Sequence, residues 1–186
     1  MGNKYTISVL TGDRPGIVAA ISGAVNELDG NILALSQTVV SDYFTIILVV
    51  EFPGSTTGSQ VEKAITDAGE TGEFSVIVRD YVDSTGRPGP YGSEAPRGEQ
   101  YVLTAHGEDT RGLIYQISSS LARKGVNILD IAVYMKAGNV VLVAQLFVPF
   151  ETDLARLRED LKQLEVNPEM RIHLQHIDIF NQTNRI

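Results

Sequence analysis

Near the N-terminus Tyr5, Ile7 and Val9 alternate with Thr6 and Ser8, the period-two pattern of a half-buried strand. The apolar positions then switch to the spacing of one helical face, in Ile17, Ala20, Ile21, Ala24, Val25 and Leu28. Between the two lies Thr11-Gly12-Asp13-Arg14-Pro15-Gly16, a strand-to-helix turn. Asp13 is predicted to cap the helix, and Pro15 to sit in its first turn, where a missing N–H costs nothing. Leu28-Asp29-Gly30-Asn31 supplies the helix stop, with Gly30 or Asn31 expected in the left-handed conformation. Two strands follow, over 32–40 and 44–52, joined by a turn near Ser41-Asp42-Tyr43. A second helix begins at about Ser59, with Val61, Ala64, Ile65 and Ala68 on one face, and 74–82 is a fourth strand. The order is βαββαβ.

The same order then repeats. At an offset of 96 residues Tyr101 matches Tyr5, Asp109 matches Asp13 and Gly112 matches Gly16. Asn127-Ile128-Leu129 likewise matches Asn31-Ile32-Leu33, and Pro149 matches Pro53, with no gap required. The second copy continues with Leu154, Leu157, Leu161 and Leu164 on one helical face behind Thr152 and Asp153, and with Met170, Ile172 and Leu174 alternating along a last strand. The chain therefore reads as a tandem duplication. A Gly, Pro and Ser-rich stretch at 84–98 is the expected linker between a first domain over 1–83 and a second over 99–186, with Arg97 the expected first tryptic site. The order βαββαβ predicts an α+β fold: two tandem ferredoxin-like domains, each an antiparallel four-stranded sheet with its helices on one face. Ile46-Ile47-Leu48-Val49-Val50 and Val140-Val141-Leu142-Val143-Ala144 are continuous apolar runs. Such runs predict strands covered on both faces, by the sister domain or by another chain.

Composition narrows the function. The 186 residues carry a net charge of −8, spread as −7 over 1–83, +1 over 84–98 and −2 over 99–186. Neither half offers the basic surface that phosphate neutralisation requires, so no direct nucleic-acid partner is expected. No apolar run reaches the ~18 residues of a membrane span, and no secretory signal is visible, so a cytoplasmic setting and no membrane partner are expected. The absence of cysteine excludes thiolate chemistry. His173 and His176 lie three apart on a predicted strand and so point to opposite faces. Only His106, at the end of the second copy's first strand, stands near a turn of interest. No nucleophile elbow, phosphate loop or paired-acid motif is present, and the chain reads as no enzyme, with no cofactor and no metal.

A strand, then Asp13-Arg14-Pro15-Gly16 opening a helix, then Gly30-Asn31-Ile32 opening the next strand, resembles the ACT domain, a small regulatory module that senses amino acids. A tandem pair of this length resembles the glycine cleavage system transcriptional repressor group of ACT proteins. The resemblance implies that ligands bind between paired ACT domains, at the loop after the first strand of one and the start of the second strand of the other. Those positions are Gly12, Asp13, Arg14, Pro15 and Gly16 with Asn31 and Ile32, and in the second copy Asp109, Thr110 and Gly112 with Asn127 and Ile128. The second copy departs from the pattern, since Arg111 stands where proline is expected.

Elementary chemistry agrees. An amino acid's carboxylate suits helix N-terminal N–H groups, and its ammonium suits Asp13 or an asparagine oxygen. Gly16 would let two backbones approach, and is expected to accept alanine so long as its φ is negative. Two functional readings follow: an amino-acid-sensing regulator that forms a homo-oligomer and acts on a transcription factor or metabolic enzyme through protein contact, or a ligand-independent oligomerisation scaffold.

Overall fold

In the computed structural model, which describes residues 2–82, 97–165 and 168–183, the first period-two run is strand β1 (Asn3–Gly12). Its Tyr5, Ile7 and Val9 are buried and its Thr6 and Ser8 half-buried. The chain divides into two units, Met1–Arg87 and Pro88–Ile186, and each is described by itself.

In the first unit β1 is followed by α1 (Ile17–Glu27), β2 (Asn31–Val40), β3 (Tyr43–Phe52), α2 (Gly58–Asp67) and β4 (Ser75–Asp80). The four strands form one antiparallel sheet in the order β2-β3-β1-β4. Ile17, Ile21, Ala24 and Val25 of α1 and Val61 and Ile65 of α2 share one core with Ile7, Val9, Ile46, Leu48 and Val50 of the sheet, so both helices lie on one face. Burial of each such side chain is worth roughly 1.5–3 kcal/mol, which holds the layers together. Helix α2 starts on a capping box, with the Thr57 hydroxyl accepting from the Gln60 N–H and the Gln60 side chain accepting from the Thr57 N–H.

The second unit repeats this plan as β5 (Gly98–Glu108), α3 (Leu113–Ala122), β6 (Asn127–Lys136), β7 (Asn139–Pro149), α4 (Leu154–Lys162) and β8 (Arg171–His176). Its sheet order is β6-β7-β5-β8, again antiparallel. Asp153, not Thr152, caps α4, accepting from the Arg156 N–H. A further short helix, α5 (Ile177–Thr183), packs against β5 and β8. The tandem α+β architecture expected from the repeat is therefore the one observed.

Several local expectations are corrected. Asp13 does not cap α1: the cap position is Gly16, at φ 92°, and no side chain caps the helix. Pro15 accordingly precedes the helix by two residues instead of lying inside it. The left-handed residue after α1 is Asp29, at φ 55°, and neither Gly30 nor Asn31 has a positive φ. Gly30 serves space instead, since a Cβ there would lie 2.5 Å from Phe52 Cε1 and 2.8 Å from Val25 Cγ1. Asn31 and Asn127 each open a strand.

The continuous apolar runs bury one face within their own unit. Within β3, Phe44, Ile46, Leu48, Val50 and Phe52 are buried, whereas Ile47 on the opposite face is 52% exposed. Of the linker expected over 84–98, residues 84–96 lie outside the described residues, and Gly98 already opens β5. Arg97 is exposed, but its carbonyl accepts the Phe150 N–H and the next residue is already the first of β5. No helix among the described residues is long and apolar enough to cross a membrane.

Candidate functional site

The turn between β1 and α1 is fixed from three sides. Its N-terminal end is the last ladder step of β1, where Gly12 pairs with Tyr43. Asp13 N–H donates to the Asp42 carbonyl at 2.8 Å, fastening the turn to the β2–β3 hairpin. Arg14 is held in an ion pair at the start of the helix. Its guanidinium holds both carboxylate oxygens of Glu73, with Nη2 to Oε2 at 2.9 Å, and Glu73 also accepts the Glu70 N–H. The arginine hydrogen bond holds the Glu73 carboxyl below its usual range, and the same contact raises the Arg14 guanidinium.

Beside this turn is a cleft of about 410 Å³, bounded by Asp13, Arg14 and Gly16, the first turn of α1 at Ile17, Val18 and Ala19, and Gln37, Val39 and Phe44 from the hairpin. Intrahelical bonding begins with Ala20 N–H to the Gly16 carbonyl. The N–H groups of Val18 and Ala19 lie before it, where a helix supplies no acceptors. The cleft thus places unspent donors and the positive end of a helix dipole near the exposed side chain of Asp13. A zwitterion of a few heavy atoms has complementary polarity.

Of the residues singled out by sequence, Asp13, Arg14 and Gly16 line this cleft; Gly12 and Pro15 flank them in the same exposed turn. Asn31 and Ile32 do not join them. They pair with Glu51 and Val50, in the rows of the sheet that begin with Lys4 and Tyr5, while the turn lies beyond the rows of Thr11 and Gly12. At ~3.3 Å per residue that separation is roughly 23–26 Å. Sequence reasoning missed Val18, Ala19, Gln37, Val39 and Phe44 as cleft residues, and missed Glu73 as the holder of Arg14. A strict hairpin register around Ser41-Asp42 would have put Val39 and Phe44 beside the turn; nothing local marks Glu73.

The second copy keeps the frame with different details. Asp109 N–H donates to the Gly138 carbonyl at 2.9 Å, as Asp13 does to Asp42, and Gly112 is left-handed at φ 86°. Thr110 replaces the anchored arginine, and its carbonyl takes the Leu113 N–H, so one first-turn donor is already used. Asn127 and Ile128 again lie at the far end of their sheet, paired with Phe147 and Leu146. His106 and His173 meet edge to face with ring centroids 6.3 Å apart. Among the described residues no three His, Cys, Asp or Glu side chains converge as a metal site.

The chain belongs to the ACT-domain family, whose profile matches residues 6–78 and again residues 99–175. A UPF0237 protein of Streptococcus mutans is 41% identical over 68 residues, which are 37% of this chain and 77% of that protein. The crystal structure of an unknown protein from Galdieria sulphuraria has the same fold, with a TM-score of 0.75 at 21% identity, covering 95% of this chain and 99% of that one. A candidate glycine cleavage system transcriptional repressor of known structure also shares it, with a TM-score of 0.63 at 15% identity, covering 95% and 98%. The protein is thus a double ACT-domain protein of a regulatory family linked to amino-acid sensing.

Proposed function

We propose that this protein senses a small amino acid at an ACT domain interface and passes the binding event to a transcription factor or metabolic enzyme through protein contact. The observation that carries the reading is the separation of the two halves of the site within one domain. If β2 pairs edge to edge with the β2 of a second molecule, antiparallel, the partner's strand begins where this one ends. The partner's Asn31 and Ile32 then come to the open side of the 12–16 turn. The ligand carboxylate takes the N–H groups of Val18 and Ala19, and its ammonium takes Asp13 together with the incoming asparagine oxygen. A ligand held by two domains favours their paired arrangement, and that differential affinity is the signal.

A thermal-shift screen of the twenty amino acids tests the reading. A ligand at a hundred times its Kd adds about 2.7 kcal/mol to the folded state, so a selective rise in midpoint is expected, and a flat screen removes amino-acid sensing. The second reading, a ligand-independent scaffold, draws on the apolar edge itself: Leu33, Leu35 and Val39 on β2 and Leu129, Ile131 and Met135 on β6 are all exposed. Stable association with no response to any amino acid would favour it.

A further inference from the structure

The other edge of each sheet, away from β2 and β6, is β4 in the first unit and β8 in the second. Both are six residues long and occupy equal places in the repeat. Tyr81 N–H donates to the Lys4 carbonyl, so alternation leaves the backbone groups of Val76, Val78 and Asp80 pointing away from β1. In β8 the matching residues are Ile172, Leu174 and His176; the Ile172 N–H is taken by Glu165 Oε1 at 2.8 Å, and His176 leads directly into α5. Each edge runs beside a cleft under its second helix, of about 490 Å³ in the first unit and 660 Å³ in the second.

These two clefts carry opposite net charge. Glu62 on α2 corresponds to Arg158 on α4 at the offset of 96, and Thr66 to Lys162; Arg79 in the first cleft and Glu165 in the second are the opposing charges, outnumbered in each. Asp80 adds a second acid to the first rim, and Arg171 a further cation to the second. Arg158 and Lys162 are like charges one turn apart, an arrangement that costs a helix stability unless an anion answers it. Among the described residues none of Glu62, Asp80, Arg158 and Lys162 has an ion-pair partner.

We propose that the β4 edge of one molecule docks on the β8 edge of a second copy of this chain, with Glu62 and Asp80 against Lys162, Arg158 and Arg171. Antiparallel addition brings the Asp80 end of β4 to the Ile172 end of β8, where Lys162 and Arg171 stand, and lays α2 beside α4. The contact is heterologous, so it builds assemblies from molecules whose β2 edges are still free for the pairing described above. It does not rest on amino-acid binding. Mixed rim charges of this kind set partner choice and are screened by salt.

Sedimentation of the full chain at low and high salt tests the proposal. The wild type is expected to show a concentration-dependent larger species at low salt that recedes at high salt. Arg158→Glu with Lys162→Glu makes both edges acidic, and Glu62→Lys with Asp80→Lys makes both basic. All four positions are exposed, so each double variant should fold, which far-UV circular dichroism checks. Each alone is expected to lose the salt-sensitive species, with association at least tenfold weaker, while an equimolar mixture of the two restores it. Two variants that behave as wild type, or a mixture that fails to associate, would overturn the proposal, as would a wild type whose mass is independent of concentration and salt.

Discussion

Replacing Gly16 with alanine separates what the turn demands from what a helix prefers. Gly16 sits at φ 92° and ψ −6°, one residue before the first residue of α1. An L-residue in the left-handed region costs roughly 1–2 kcal/mol, because its Cβ crowds the neighbouring carbonyl. Alanine also restricts the unfolded chain, which returns about 0.4–1 kcal/mol. No collision adds to the sum, since the nearest atom to an added Cβ is Arg14 Nη1 at 3.8 Å. The net expectation is a loss of about 1 kcal/mol, or roughly 4–8 °C for a domain of this size. Gly112, at φ 86° and with Gln116 Nε2 at 3.8 Å, has the same geometry, so Gly112→Ala should cost as much stability. Gly23 is the control: it lies inside α1 with nothing within 4 Å of an added Cβ, and alanine there should stabilise by roughly 0.5–1 kcal/mol. Urea denaturation of the three variants checks the signs. Equal or greater stability of Gly16→Ala would refute the left-handed cap.

Two other substitutions test individual contacts. The Ser120 hydroxyl is buried without a hydrogen-bond partner, and the equivalent residue of the first copy is Ala24, so Ser120→Ala should raise stability by about 1 kcal/mol; a lower thermal midpoint would show that the hydroxyl is satisfied. The carboxyl of Glu73 is depressed by Arg14, so its contribution is present above its ordinary value of about 4.5 and fades as pH falls through the lower folded value. Glu73→Gln should therefore be less stable than wild type near pH 7, with the gap narrowing as pH falls through the lowered value of Glu73, and a gap independent of pH would remove the Arg14 contact as its cause.

What sequence made legible is whatever depends on periodicity. The alternation of Tyr5, Ile7 and Val9 and the helical spacing of Ile17, Ile21, Ala24 and Val25 named core faces that the folded chain buries. The repeat was legible because it needs only identities at a fixed offset. The junctions were not. Asp13 is a good capping type, but capping depends on where the backbone turns, and Gly16 turns it three residues later than the residue type suggests. Likewise Asp29, not Gly30, takes the left-handed place, while Gly30 is glycine for lack of room beside Phe52 and Val25. Glu73 lies 59 residues from Arg14, and no pattern along the chain joins them. Helix α5 is seven residues long, too short for its period to stand out from a strand. The turn of the candidate site could be located from sequence, whereas the distance from it to Asn31 needed the sheet register.

In both sheets the strand synthesised first is an interior one: β1 lies between β3 and β4, and β5 between β7 and β8. Tyr5, Ile7 and Val9 therefore leave the ribosome long before either neighbour exists. Their backbone groups must wait for Ile46 to Val50 on one side and, later still, for Val76 and Val78 on the other. Pairings so distant in sequence form slowly, because closing the long intervening loops costs entropy before any contact rewards it. An apolar strand that emerges before its partners is also a place where misassembly begins. The hazard arises twice in one polypeptide, and each half must shelter its leading strand until its own last strand has emerged.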